Sequence, residues 1–171
     1  LGKDYIILRK EFWDVPEKGI NEEVKDVLIT FGGGGLIGLE DKISNLLRNK
    51  FGLNVTVVNP ENKLRASEML LLMLKSDLCI SAGGQTTYEL ARVGVPTIGI
   101  CFARNQLDNL VYGNEIGYLN FVGWFDEVNL LDRISDTIEK IDFSMREKMH
   151  TIGKKTINGQ GVKNIIKTLQ K

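Results

Sequence analysis

Histidine occurs once in this chain, at position 150, and cysteine only twice, at positions 79 and 101. His150 lies in a polar helical tail, far in sequence from the glycine clusters described below, and reads as a surface residue and not as a general base. No Ser-His-Asp, Cys-His or paired-carboxylate arrangement can be assembled around it. Cys79 and Cys101 each fall in an apolar run with no partner at metal-ligand spacing. They read as buried free thiols, and neither a metal nor a cofactor is expected.

An excess of either charge is also lacking. The 22 basic and 22 acidic residues cancel, which removes any global pull toward nucleic acid or an anionic membrane. Any anion site must therefore be local. Long hydrophobic runs are missing as well: the most apolar stretch, Met69 to Leu74, is bracketed by Glu68 and by Lys75-Ser76-Asp77. That is far short of the ~20 residues a membrane span needs, and it reads as a buried helix. No signal peptide is visible. Leu1, standing where methionine would, points to a natural start further upstream. Thiols without disulfides fit a reducing cytoplasm, the expected location.

What the chain does contain is enough apolar material, 43% of 171 residues, for one good core. Short β-branched runs alternate with longer helical patterns. Tyr5 to Leu8, Val27 to Phe31, Val55 to Val58, Leu78 to Ser81, Thr97 to Ile100 and Tyr118 to Val122 read as strands. Helices are expected over Leu39 to Lys50, Ser67 to Lys75, Thr86 to Val93, Gln106 to Glu115 and Val128 to Ile141, with a last one over Val162 to Gln170 after the break at Asn158-Gly159-Gln160-Gly161. Strands apolar on both faces, each followed by a helix, predict a doubly wound, mostly parallel, Rossmann-like α/β sheet. Residues 1–25 are expected to hold a first strand and a polar connector with Pro16 and Gly19, and residues 26–171 the domain proper.

Such sheets bind ligands beyond the carboxyl ends of their strands. Both glycine clusters, Gly32 to Gly35 and Gly83-Gly84, fall at that edge, whereas Gly52, Gly94 and Gly117 sit where helices end and read as C-caps. In Ser81-Ala82-Gly83-Gly84-Gln85-Thr86-Thr87-Tyr88-Glu89 a strand runs directly into a helix, so paired glycines meet unpaired helix N–H groups. A phosphate is suited to that place. Glu89 has two readings of equal standing: it closes a capping box with Thr86, or its carboxylate accepts both hydroxyls of a ribose. Asn105 and Gln106 follow a strand at the same edge, and their planar amides suit sugar hydroxyls, although an Asn N-cap explains the pair equally well.

The first cluster also contains a formal G-x-G-x-x-G from Gly33 to Gly38, the pattern of dinucleotide sites. The acidic residue such a site wants after the next strand is replaced by Asn59. An NAD-binding reading also leaves the second glycine junction without a purpose, whereas two junctions can clasp one diphosphate.

The run from Ser81 to Ala91, with Gly94-Val95-Pro96 and Asn105-Gln106, resembles the nucleotide-sugar-binding half of GT-B-type proteins. The likeness is strongest to the UDP-sugar hydrolases of pseudaminic acid biosynthesis (PseG) and the spore-coat polysaccharide proteins related to them (SpsG), and more distant to MurG-type transferases. Leu8-Arg9-Lys10-Glu11-Phe12 is similar to the junction that leads into this half, and Asn158-Gly159-Gln160-Gly161 to its late turn. Lys10 stands where proline is usual, Asn158 where aspartate is, and Gly34-Gly35 replaces a polar pair.

The resemblance implies a UDP or UDP-sugar ligand, with Gly32, Gly33, Gly34, Gly83, Gly84, Gln85 and Thr86 around the diphosphate, Glu89 on the ribose and Asn105 and Gln106 toward the sugar. It places the uracil against the loop after Val58. It further implies a C-terminal domain whose N-terminal partner, with the catalytic histidine, lies elsewhere, or a stand-alone donor-binding subunit that docks on an acceptor-binding protein.

Overall fold

The computed structural model describes residues 2–32 and 38–170. Gly33 to Gly35 of the first glycine cluster lie outside the described residues. Five strands, β1 (Asp26–Thr30), β2 (Asn54–Val58), β3 (Leu78–Ala82), β4 (Thr97–Cys101) and β5 (Leu119–Trp124), form one all-parallel sheet in the order β2-β1-β3-β4-β5. The helices are α1 (Leu39–Phe51), α2 (Ala66–Lys75), α3 (Thr86–Val93), α4 (Arg104–Ile116), α5 (Leu130–Lys140), α6 (Phe143–Thr156) and α7 (Gly161–Leu169). Strand order reverses between β1 and β3, which places the topological switch point there.

Alternation along the central strands separates two cores. Val27, Ile29, Leu78, Ile80 and Ile98 face α1 and α5, where Ile43, Leu47, Leu130 and Ile134 meet them. Leu28 and Cys79 face the other way, onto Met73, Leu90 and Leu110 of α2, α3 and α4. Each large apolar side chain fully withdrawn from water contributes roughly 1.5–3 kcal/mol. With β3 and β4 buried along their whole length, the sheet tolerates polar groups only at its ends. Both cysteines are buried and free, and burial pushes the Cys79 thiol far up.

The expected C-caps are in place. Gly52, Gly94 and Gly117 have φ of 66°, 84° and 95°, and each donates its N–H back to the last turn of its helix. The α3 cap carries a further load, because His150 Nδ1 of α6 lies 2.8 Å from Gly94 O.

The expected strand over Tyr5 to Leu8 is absent. Lys3–Tyr5 is a turn of 3-10 helix and the following residues are extended but pair with no strand. Their backbone groups are taken by side chains instead: Asn164 Nδ2 donates to Asp4 O at 2.7 Å and Trp13 Nε1 to Leu8 O at 2.9 Å. The late glycine turn packs directly on this segment: a Cβ on Gly161 would collide with the Ile6 carbonyl, and one on Gly159 would meet Trp13 O at 2.6 Å and Phe12 O at 3.2 Å. Further along, Asp77 accepts from the backbone N–H groups of Lys25 (2.8 Å) and Asp26 (2.9 Å) and from Asn21 Nδ2 (2.7 Å). Arg146 donates to Asn21 O and Glu22 O at 2.7 and 2.6 Å. The connector is thus strapped to the domain.

Candidate functional site

Beyond the carboxyl ends of β1, β2 and β3 lies a cleft of about 470 Å³, lined by Arg9, Thr30, Gly32, Val58, Asn59, Lys63, Leu64, Met69, Gln85, Thr86 and Glu89. That volume is within the range of about 300–1,000 Å³ in which small-molecule sites fall. A smaller recess of about 190 Å³ shares Thr30, Gly32, Gln85 and Thr86 with it and extends to Ser81, Gly84 and Gln106. Both open at the switch point between β1 and β3.

The two glycines after β3 do different things. A Cβ on Gly83 would lie 2.5 Å from Leu110 Cγ, so Gly83 is glycine because α4 packs against it. It lines neither recess. Gly84 has none of the described residues within 4 Å of its missing Cβ and borders the smaller recess, leaving backbone open to a ligand. Its carbonyl is occupied from the other side, accepting from Thr87 N at 3.1 Å and Thr87 Oγ1 at 2.7 Å. Asn109 holds the Gly83 carbonyl at 3.2 Å while accepting from the Tyr88 hydroxyl at 2.7 Å, which fixes the loop from behind. Gly32, after β1, has a φ of 61°, a left-handed conformation that glycine adopts without strain.

Helix α3 starts where the sequence places it, with Gln85 and Thr86 at the junction of the two recesses, while Thr87 and Tyr88 spend their N–H groups on Gly84 O and Gln85 O. The capping box with Thr86 is not formed. Gln85 occupies the N-cap, and the Glu89 carboxylate turns away from the helix end to meet Arg9. The pair is bidentate, with Arg9 Nε at 2.6 Å from Oε1 and the second guanidinium nitrogen at 2.7 Å from Oε2. Hydrogen bonding to Glu89 holds the Arg9 guanidinium above its ordinary range, against the opposing effect of burial. The Glu89 side chain is 2% exposed and that of Arg9 45%. Gln85 likewise reaches the connector, donating its amide to Ile7 O.

Gly32, Gly84, Gln85, Thr86 and Glu89 are therefore gathered at one edge, with Gln106 at its far side. The Gln106 amide oxygen accepts from Phe102 N at 3.1 Å. Asn105 is exposed on α4 and lines neither recess. Arg9, Asn59 and Lys63 join the cleft without having been assigned to it. Asn59 and Asn62 shape their loop, with Asn59 N donating to Asn62 Oδ1 at 2.7 Å and Glu61 N to Asn59 Oδ1 at 3.1 Å. This loop carries Lys63 at a φ of 47°. The Asn-Pro-x-Asn spelling was the available signal for that turn.

His150 is on the opposite side, at the C-terminal end of α3. Among the described residues no group of side chains could hold a metal ion, and no helix is long and apolar enough to cross a membrane.

No family model matches the chain. A Helicobacter pylori protein named pseudaminic acid cytidylyltransferase and UDP-2,4-diacetamido-2,4,6-trideoxy-beta-L-altropyranose hydrolase is 34% identical, over 63% of this chain and 24% of its own length. An uncharacterized protein of Methanocaldococcus jannaschii is 30% identical, over 65% of this chain and 28% of its own. The chain thus spans about a quarter of the curated relatives it matches. Among solved structures, MurG of Acinetobacter baumannii superposes with a TM-score of 0.63 at 15% identity, covering 88% of this chain and 50% of that one. The Streptomyces glycosyltransferase SsfS6, solved with thymidine diphosphate, gives 0.61 at 17% identity, covering 90% and 47%. The glycosyltransferase of kitacinnamycin gives 0.62 at 14%, covering 91% and 44%. The chain has the fold of one half of these GT-B-type glycosyltransferases and is similar in sequence to part of the Helicobacter pylori protein.

Proposed function

We propose that this chain is the UDP-sugar-binding, C-terminal half of a hydrolase of the PseG type, or of a closely related glycosyltransferase. One observation carries the reading: a cleft of about 470 Å³ at the switch point brings together the start of α3 and a carboxylate one turn in. The diphosphate would rest on the N–H groups at Gly84 to Thr86, with Gly32 opposite and Lys63 as the nearby cation. The ribose would meet Glu89, and the base would lie against Val58, Leu64 and Met69. The Helicobacter relative, whose name includes a UDP-sugar hydrolase, supports this class of substrate.

In the proposed reaction water attacks the anomeric carbon, and the bond to the diphosphate breaks with its electron pair leaving on UDP. Fixed N–H dipoles at the start of α3 stabilise that charge as it develops. The base that takes the proton from water belongs to the other half of the protein. A donor-binding subunit docking on a separate acceptor-binding chain is the second reading. An NAD site fits less well, because Asn59 at the tip of β2 carries no charge and spends its amide oxygen on its own loop.

Calorimetric titration tests the proposal. UDP is expected to bind and to raise the melting temperature, and NAD to do neither. Protection by NAD alone would overturn it.

A further inference from the structure

Two of the side chains that approach the ribose and diphosphate seats at the start of α3, Gln85 and Glu89, are already engaged by one short segment of the connector. Gln85 donates to Ile7 O, and Glu89 accepts two short bonds from Arg9. These contacts span about 80 residues of sequence and join the cleft to the junction preceding the domain. The Glu89 side chain is 2% exposed and Arg9 stands across its open approach, so a pair of hydroxyls reaches the carboxylate only once Arg9 moves. Glu89 is fixed by α3, whereas Arg9 is 45% exposed and stands on a single 3-10 turn, Lys10–Phe12. Arg9 is the partner able to move.

We infer that residues 7–9 form a strap across the nucleotide seat that a vicinal diol on the ligand displaces. The inference rests on the nucleotide-sugar reading and adds the coupling of cleft occupancy to the domain junction. An exchange of this kind conserves hydrogen bonds, since two N–H donors give way to two O–H donors on the same carboxylate. It also lowers apparent affinity, because ligand binds only the fraction of molecules whose strap is open. Release stays local. Arg92 still grips Phe12 O and Trp13 O at 3.2 and 3.1 Å, so the connector remains attached just downstream.

The test compares the protein with its Arg9→Met variant, which keeps bulk against the Phe12 ring but has no donors. Uridine, which lacks phosphate, is expected to bind the variant on the order of three- to tenfold more tightly. In the unaltered protein, UDP is expected to speed hydrogen exchange at the Phe12 and Trp13 amides, whose 3-10 bonds run to Arg9 O and Lys10 O. Equal or weaker binding by a folded variant, or slowed exchange at those amides, overturns the strap while leaving the nucleotide site standing. If the variant does not fold, the exchange result alone decides. Failure of UDP and uridine to bind either protein removes the nucleotide reading and the strap together.

Discussion

Leu110 fills the space that a side chain at position 83 would need: a Cβ there would lie 2.5 Å from its Cγ and 2.7 Å from its Cδ1. Leu110 is fully buried on α4 and has nowhere to retreat. Gly83→Ala is therefore expected to destabilise the fold by about 1–3 kcal/mol through overpacking. Each kcal/mol lowers Tm by about 2–4 °C in a domain of this size. Thermal unfolding of the variant measures the loss, and an unchanged Tm would show that α4 shifts freely.

The neighbouring glycine separates ligand contact from packing. Among the described residues none stands within 4 Å of a Cβ at Gly84, so Gly84→Val is expected to fold with a Tm near that of the parent. Its branched side chain would project into the recess where backbone amides must approach a phosphate. UDP affinity is expected to fall on the order of tenfold or more, a loss of about 1.4 kcal/mol. Calorimetry on the two glycine variants side by side gives opposite patterns if the assignment is right.

The contrast shows which parts of the molecule were legible in sequence. Helix α3 was placed correctly over Thr86–Val93 because local signals bound it on both sides, glycines before it and a left-handed Gly94 after it. The central strands were legible for the same reason, being continuous apolar runs between turn residues. The expected strand over Tyr5 to Leu8 failed because apolar content alone does not supply a pairing partner, and the late glycine turn and α7 claimed that backbone instead. Arg9 as the partner of Glu89 had no local signature at all. The two stand 80 positions apart, and only the folded connector brings them to 2.6 Å. Asn105 has the spacing of a site residue, yet it faces solvent on α4.

At the other end of the sheet, Asp77 makes stability depend on pH. Burial would raise its pKa, but the N–H groups of Asp26 and Lys25 and the amide of Asn21 outweigh burial and hold it below the usual range. A carboxylate lowered in the folded state adds stability that is present above its unfolded value, near 3.9, and that fades as pH falls through the folded one. Asp77→Asn is expected to cost on the order of 1–3 kcal/mol at pH 7. In urea unfolding, the gap to the parent should narrow progressively as pH falls below about 3.9 and through the lower folded-state value. A gap independent of pH would mean that shape, and not charge, anchors the connector.

His150 tests the separation of binding from chemistry. Its Nδ1 is 2.8 Å from the Gly94 carbonyl, at the C-terminal end of α3. The eight residues of that helix put roughly 12 Å of rise between this contact and the phosphate seat. A side chain so placed can hold α6 against α3, as the close approach of Gly153 to the Ala91 backbone does one turn further on, but it cannot reach a water poised over the cleft. His150→Ala should therefore lower stability by about 1 kcal/mol through the lost hydrogen bond, while UDP affinity stays within twofold of the parent (about 0.4 kcal/mol). Under the proposed function, turnover of a UDP-sugar by this half joined to its partner half should be equally insensitive. A fall in turnover by orders of magnitude at unchanged affinity would place His150 in the chemistry, and the base would then not belong to the other half.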